Sequence, residues 1–188
     1  MSDIGELLGV VNTAVAALRR NDIAYFITGS FASSVHGEFR ATNDLDIVAA
    51  IEVDQLAPLL SELSPTFLTD LEQARSALEH GGSFNLIHLS TYLKVDVFPC
   101  VSAFNREALR RAVTITLPGA SESLQVASLD DIILAKLWWY RLGGEASETQ
   151  RRDVRRLVEL NRDRLDVSYL REWARVLAIG DLLEGFLA

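Results

Sequence analysis

The sequence predicts an α/β fold: a small mixed sheet with flanking helices, followed by a largely helical half that closes a cleft over it. Three observations carry this expectation. Short apolar runs rich in β-branched and aromatic residues alternate with segments of helical periodicity. Beyond about residue 100 the pattern turns mostly helical, which sets the expected boundary between a 1–104 domain and a 105–188 domain. The 188 residues, 49% hydrophobic, suffice for one core domain with a small helical partner.

Taken in order, Asp3 to Arg20 reads as an amphipathic helix, with Ile4, Leu7, Leu8, Val11, Val15 and Leu18 at helical spacing and an Asp3–Glu6 capping box. Ile23 to Thr28 is a short, buried-type strand that Gly29-Ser30 breaks. Phe31 to His36 forms a short helix of small residues ending at Gly37. Leu45 to Ile51 is the second strand, and helices follow at Asp54 to Leu63 and Asp70 to His80. Phe84 to Leu89 and Leu93 to Phe98, joined by Ser90-Thr91-Tyr92, read as a hairpin that Pro99 ends. The second half adds short strands at Ala112 to Leu117 and Leu124 to Val126. A helix from Leu129 to Tyr140 is capped by Ser128 with Asp131, and helices at Glu148 to Leu160, Val167 to Ala178 and Asp181 to Phe186 complete the chain.

Composition excludes several classes. No apolar run approaches the roughly 20 residues a membrane helix needs, and MSDIGELLGV lacks the basic start and cleavage site of a signal peptide. Cys100 is the sole cysteine, so neither an intrachain disulfide nor a Cys-rich zinc site can form. The expected compartment is the cytoplasm, with no membrane partner. A net charge of −8 disfavours a protein whose work is gripping long nucleic acid. The late arginines, Arg151-Arg152, Arg155-Arg156, Arg162 and Arg164, read as a solvated helix face, although as a basic patch they could admit a tRNA acceptor.

The informative segment is Gly29-Ser30, followed by Asp44-Leu45-Asp46. On a strand Asp44 and Asp46 point one way, while Leu45 and Ile47 point to the core. Two such carboxylates repel and raise one another's pKa unless a cation lies between them; hard oxygen donors at a strand end suit Mg²⁺. In Leu93-Lys94-Val95-Asp96-Val97-Phe98 the apolar residues share one face and Asp96 takes the other, at a cost unless it is solvated, coordinates something, or pairs with Lys94 or an arginine. If this hairpin lies beside the Asp44–Asp46 strand, three carboxylates converge and can hold two ions of the kind that clamp an in-line phosphoryl displacement. Gly29-Ser30, where a strand gives way to a helix, offers exposed amides, close backbone approach and a hydroxyl to a phosphate; Ser30 could equally cap that helix.

The run Gly29-Ser30-Phe31-Ala32, His36-Gly37 and Arg40 to Val48, followed by Leu93-Lys94-Val95-Asp96, resembles the nucleotidyltransferase superfamily of DNA polymerase β-like fold. In style it is similar to small bacterial members, including AbiEii-type toxins. The motif-bearing part covers about residues 23 to 98. The resemblance implies a metal-dependent transfer of a nucleoside monophosphate from an NTP to an acceptor hydroxyl, with two Mg²⁺ or Mn²⁺ ions. Gly29 and Ser30 would hold the triphosphate. Asp44 and Asp46 would ligate both metals, and Asp96 would complete one site and help deprotonate the acceptor. Lys136, set in an apolar helix, would reach the triphosphate, and Asp153 would orient it.

Alternatives stand beside several of these readings. Lys136 either snorkels or meets a buried anion, Asp153 can be a structural ion-pair partner, and Arg40 either contacts phosphate or bridges the carboxylates. His36 reads as a packing or hydrogen-bonding histidine, and Trp138-Trp139-Tyr140 as core between the halves. Three functions compete: a toxin with an antitoxin partner that modifies tRNA or protein, a transferase acting on a small molecule such as an aminoglycoside, and a non-catalytic nucleotide- or partner-binding relative.

Overall fold

The computed structural model describes residues 4–37, 42, 44–117 and 122–188. Helix α1 (Ile4–Arg20) leads into β1 (Tyr25–Thr28), α2 (Gly29–His36) and β2 (Asp44–Ala49). Then come α3 (Val53–Leu63), β3 (Phe67–Leu68), α4 (Leu71–His80), and the hairpin β4 (Phe84–His88) and β5 (Lys94–Pro99). Helix α5 (Ala103–Arg111), β6 (Val113–Ile115) and β7 (Leu124–Val126) precede α6 (Leu129–Leu142), α7 (Glu148–Asn161), α8 (Val167–Val176) and α9 (Gly180–Leu187). The mixed α/β class is as expected. Among the described residues no helix is long and apolar enough to cross a membrane.

Among the described residues, seven strands form one sheet in the order β3-β4-β5-β2-β1-β7-β6. Strand β1 pairs antiparallel with β2, β2 parallel with β5, and β1 parallel with β7. Each half therefore contributes strands: β6 and β7, beyond residue 104, extend the edge beside β1. Strand β3 is not visible in the sequence. Two residues have no period to read, and Phe67-Leu68 are strand only because His88 and Ile87 lie opposite them.

Register sorts the side chains, because cross-strand partners share a face. Ile27 opposite Ile47, and Leu45 opposite Val95, bring fully buried residues together on one face. They join a core shared with Val11, Ala14 and Val15 of α1 and Leu56, Leu59 and Leu63 of α3. The other face carries Phe26, Thr28, Asp46, Val48, Asp96 and Phe98. Over that face lies α6, and its placement follows from β7. Ile27 pairs with Val126, Ala127 N–H donates to the Ile27 carbonyl at 2.9 Å, and Ser128 then caps α6. Only Ala127 and Ser128 separate the helix from a strand held beside β1, so its path over the sheet is set from its first turn.

Candidate active site

A cleft of about 270 Å³ opens between the sheet and α6, lined at one end by Thr28, Gly29, Ser30, Asp46, Lys136 and Gln150. Its other end is largely apolar and aromatic, with Phe26, Phe98, Phe104, Trp138 and Trp139. The two ends together resemble a site that holds a charged group beside a flat or apolar one.

Gly29 opens α2 with φ +64°, a left-handed conformation that favours glycine. A Cβ there would lie 1.8 Å from Asp46 Oδ2. The glycine is therefore required twice, by its backbone and by the carboxylate packed against it. The exposed amides at the start of α2 and the Asp46 carboxylate consequently share one end of the cleft. Within the helix, Ser33 and Ser34 hydroxyls donate to the Gly29 and Ser30 carbonyls at 2.9 and 3.1 Å.

Asp44 and Asp46 extend from the same face of β2, with Leu45 and Ile47 buried on the other. Across the parallel pair, Asp46 lies opposite Asp96 and Asp44 opposite Lys94. Burial, and after it the neighbouring Asp96 and Asp44 carboxylates, push the Asp46 carboxyl up to about 6, against a smaller opposing pull from Lys136 and Lys94. Lys94 Nζ donates to Asp96 Oδ2 at 2.8 Å. Among the described residues no three His, Cys, Asp or Glu side chains close into a single metal-sized cluster. The three carboxylates share a face and a field, and a lysine sits among them.

Lys136 is 5% exposed. It meets a partly buried carboxylate rather than snorkelling: its Nζ donates to Asp153 Oδ2 at 2.9 Å and to Gln150 Oε1 at 3.2 Å. Asp153 and Gln150 lie three residues apart on α7, which turns both toward α6. Arg40 lies outside the described residues, as does Asp3 of the expected first cap. His36 is a hydrogen-bonding histidine, its Nε2 2.8 Å from the Ala127 carbonyl oxygen, and burial lowers its pKa. Of the three aromatics expected as core, Tyr140 is buried and Trp138 packs against the core, and Trp139 alone departs. Both tryptophan rings line the cleft, Trp139 is 49% exposed, and it packs against Phe98 with ring centroids 6.1 Å apart.

Sequence reasoning did not single out Gln150, Phe98 or Phe104 for the cleft, or Asp131 for anything beyond its cap. Asp131 is buried, accepts from Tyr169 Oη and Ser128 Oγ, each at 2.6 Å, and lines the cleft. A signal for Gln150 existed in its i,i+3 spacing to Asp153. None existed for Phe104 or Tyr169, whose partners are distant in the chain.

The architecture is the nucleotidyltransferase fold. An antigenic nucleotidyltransferase-like protein from Paracoccidioides brasiliensis is similar at 20% identity, with TM-score 0.55, over 96% of this chain and 91% of that one. The antibiotic-resistance factor ANT(2'')-Ia in solution is similar at 16% identity, TM-score 0.58, over 96% of both chains. The same protein in complex with adenylyl-2''-tobramycin is similar at 14% identity, TM-score 0.57, over 91% of this chain and 98% of that one. At these identities the likeness establishes the fold. No protein-family model and no curated protein matches the sequence.

Proposed function

We propose that this chain transfers a nucleoside monophosphate from an NTP to an acceptor hydroxyl, releasing pyrophosphate and depending on Mg²⁺ or Mn²⁺. The observation that carries the reading is the register of β2 and β5. It sets Asp46 against Asp96 on the cleft face, directly under the glycine that begins α2. The donor set fits a divalent ion. Asp46 is pushed up to about 6 in part by two neighbouring carboxylates, a conflict that a hard cation relieves. Asp44, Asp46 and Asp96 would hold the metal, whose chemistry there is to neutralise charge on the transferring phosphoryl group.

The remaining roles belong to the chain's own groups. Gly29 and Ser30 present a helix N-terminus to the triphosphate. Lys136, held by Asp153 and Gln150, offers a fixed positive charge from the opposite wall. In the transfer the acceptor oxygen bonds to the α-phosphorus as the bond to the bridging oxygen of the β-phosphate breaks. Pyrophosphate leaves, and the hydroxyl proton passes to a carboxylate of the site, Asp96 in this reading. The rate enhancement comes from positioning and charge more than from covalent catalysis.

A small-molecule acceptor is favoured by the cleft itself, whose volume of about 270 Å³ and aromatic wall suit a compact ring-bearing compound better than a polymer. One of the similar structures is a complex with adenylyl-2''-tobramycin, the adduct of a nucleotide and a small-molecule acceptor. A toxin role with an antitoxin partner, a tRNA acceptor, the two-domain division at residue 104 and a cytoplasmic location rest on the sequence alone.

The test is thermal unfolding with each of the four NTPs, with and without Mg²⁺, for the wild type and Asp46→Asn. A nucleotide at about 100 times its Kd adds roughly 2.7 kcal/mol, a Tm rise of about 5–10 °C for a chain of this size. A metal-dependent rise with one nucleotide, lost in Asp46→Asn, supports the reading. The absence of any rise at millimolar nucleotide would turn it toward a non-catalytic binding protein.

A further inference from the structure

Four charged groups stand in a two-by-two array on the cleft face of the parallel β2–β5 pair. Asp44 and Asp46 lie two residues apart on β2; opposite them in register lie Lys94 and Asp96 on β5. Residues two apart on a strand share a face, so all four side chains rise on the same side. Lys94 is the odd member. Its Nζ reaches along the strand to Asp96 Oδ2 at 2.8 Å, where the Asp96 side chain is only 15% exposed. Its charge also interacts with Asp44 and Asp46. The ammonium thus pairs with Asp96 and lies in the field of Asp44 and Asp46.

The charge balance is simple. Three carboxylates alone carry three negative charges, more than one divalent ion neutralises and enough to draw a second. Three carboxylates with one ammonium carry two, which a single divalent ion matches. Asp96 Oδ2 already accepts from Lys94. A divalent ion held by Asp96 would stand within a few ångström of the ammonium on Oδ2, and the two positive charges repel in a partly buried site, so the ion and Lys94 compete for Asp96.

We propose that Lys94 occupies the place of a second metal ion, so that the nucleotide-free protein binds one divalent cation, at Asp44 and Asp46, and Asp96 becomes a metal ligand only when Lys94 leaves it. The proposal rests on the reading of this cleft as a metal-dependent site, and it adds a built-in organic cation that sets the stoichiometry. Lys94 can leave because its side chain is 40% exposed and its stem is flexible. A buried lysine could not exchange with an ion in this way.

The experiment is a titration with Mn²⁺ alone, reading free Mn²⁺ by electron paramagnetic resonance, on the full chain at about pH 8. The wild type, Lys94→Met, Lys94→Gln and Lys94→Arg are compared, and thermal unfolding confirms that each is folded. The wild type and Lys94→Arg are expected to bind about one Mn²⁺ per chain. Lys94→Met and Lys94→Gln, which remove the charge in two different shapes, are expected to bind about two. A wild type that binds two ions overturns the proposal and leaves the transferase reading standing, as does a stoichiometry of one in both neutral variants. No Mn²⁺ bound by the wild type or any variant overturns the proposal and the metal site together. The transferase reading has its own separate measure in the metal-dependent nucleotide shift.

Discussion

Replacing Asp46 by asparagine should make the metal-free protein more stable at neutral pH, although Asp46 is the central residue of the candidate site. Its carboxyl sits at about 6 in the folded chain against 3.8 for an ordinary aspartate, first because it is buried and then because Asp96 and Asp44 face it. The folded state therefore holds this proton more tightly than the unfolded state does. Stability from that preference is complete below 3.8 and is lost as pH rises through about 6. At roughly 1.36 kcal/mol for each pH unit, the ionised carboxylate costs the fold about 2–3 kcal/mol at pH 8, and asparagine of the same shape avoids that cost. For a chain of this size the difference is a Tm gain of about 5–10 °C. The assay is thermal unfolding of wild type and Asp46→Asn in chelator from pH 4 to 8. The two curves should converge near pH 4 and separate above 6. Mg²⁺ added at pH 8 should raise only the wild type and narrow the gap. A difference that stays constant across the range, or a mutant less stable at pH 8, would refute the reasoning.

Other perturbations give equally definite outcomes. Asp153→Asn leaves the Lys136 ammonium, 5% exposed, without its carboxylate. It should destabilise by about 3–5 kcal/mol, whereas Lys136→Met with Asp153→Leu should be near neutral in denaturant unfolding yet lose nucleotide binding. Gly29→Ala meets both the left-handed backbone and Asp46 Oδ2 at 1.8 Å. The backbone alone costs about 1–2 kcal/mol, and the metal-dependent nucleotide shift should vanish with it. Tyr169→Phe removes the 2.6 Å hydrogen bond to buried Asp131. A loss of about 1.5–3 kcal/mol in chemical denaturation is expected, as for a hydrogen bond to a charged group. Trp139, exposed on the cleft wall beside Phe98, should show quenched fluorescence when a flat ligand enters, and Trp139→Ala should weaken that ligand's binding without changing the Mn²⁺ stoichiometry.

The chain itself determined most of what periodicity can carry. The helices, the β4–β5 hairpin, the same-face pair Asp44 and Asp46, and Asp96 on the polar face of β5 all follow from side-chain alternation and capping, which act over a few residues. Tertiary structure decided which strands are neighbours. Nothing within β2 or β5 says that they pair in parallel, or that the register sets Asp46 opposite Asp96 rather than opposite Lys94. A slip of two residues would keep every face and dissolve the site. The same holds for the two-residue β3, for Lys136, whose partner lies 17 residues on in another helix, and for Trp139, which an apolar helix would bury until β7 directs α6 across an open cleft. Local pattern specifies faces and ends because it is written in neighbouring residues; register and the meeting of distant elements are settled by the packing of the whole core.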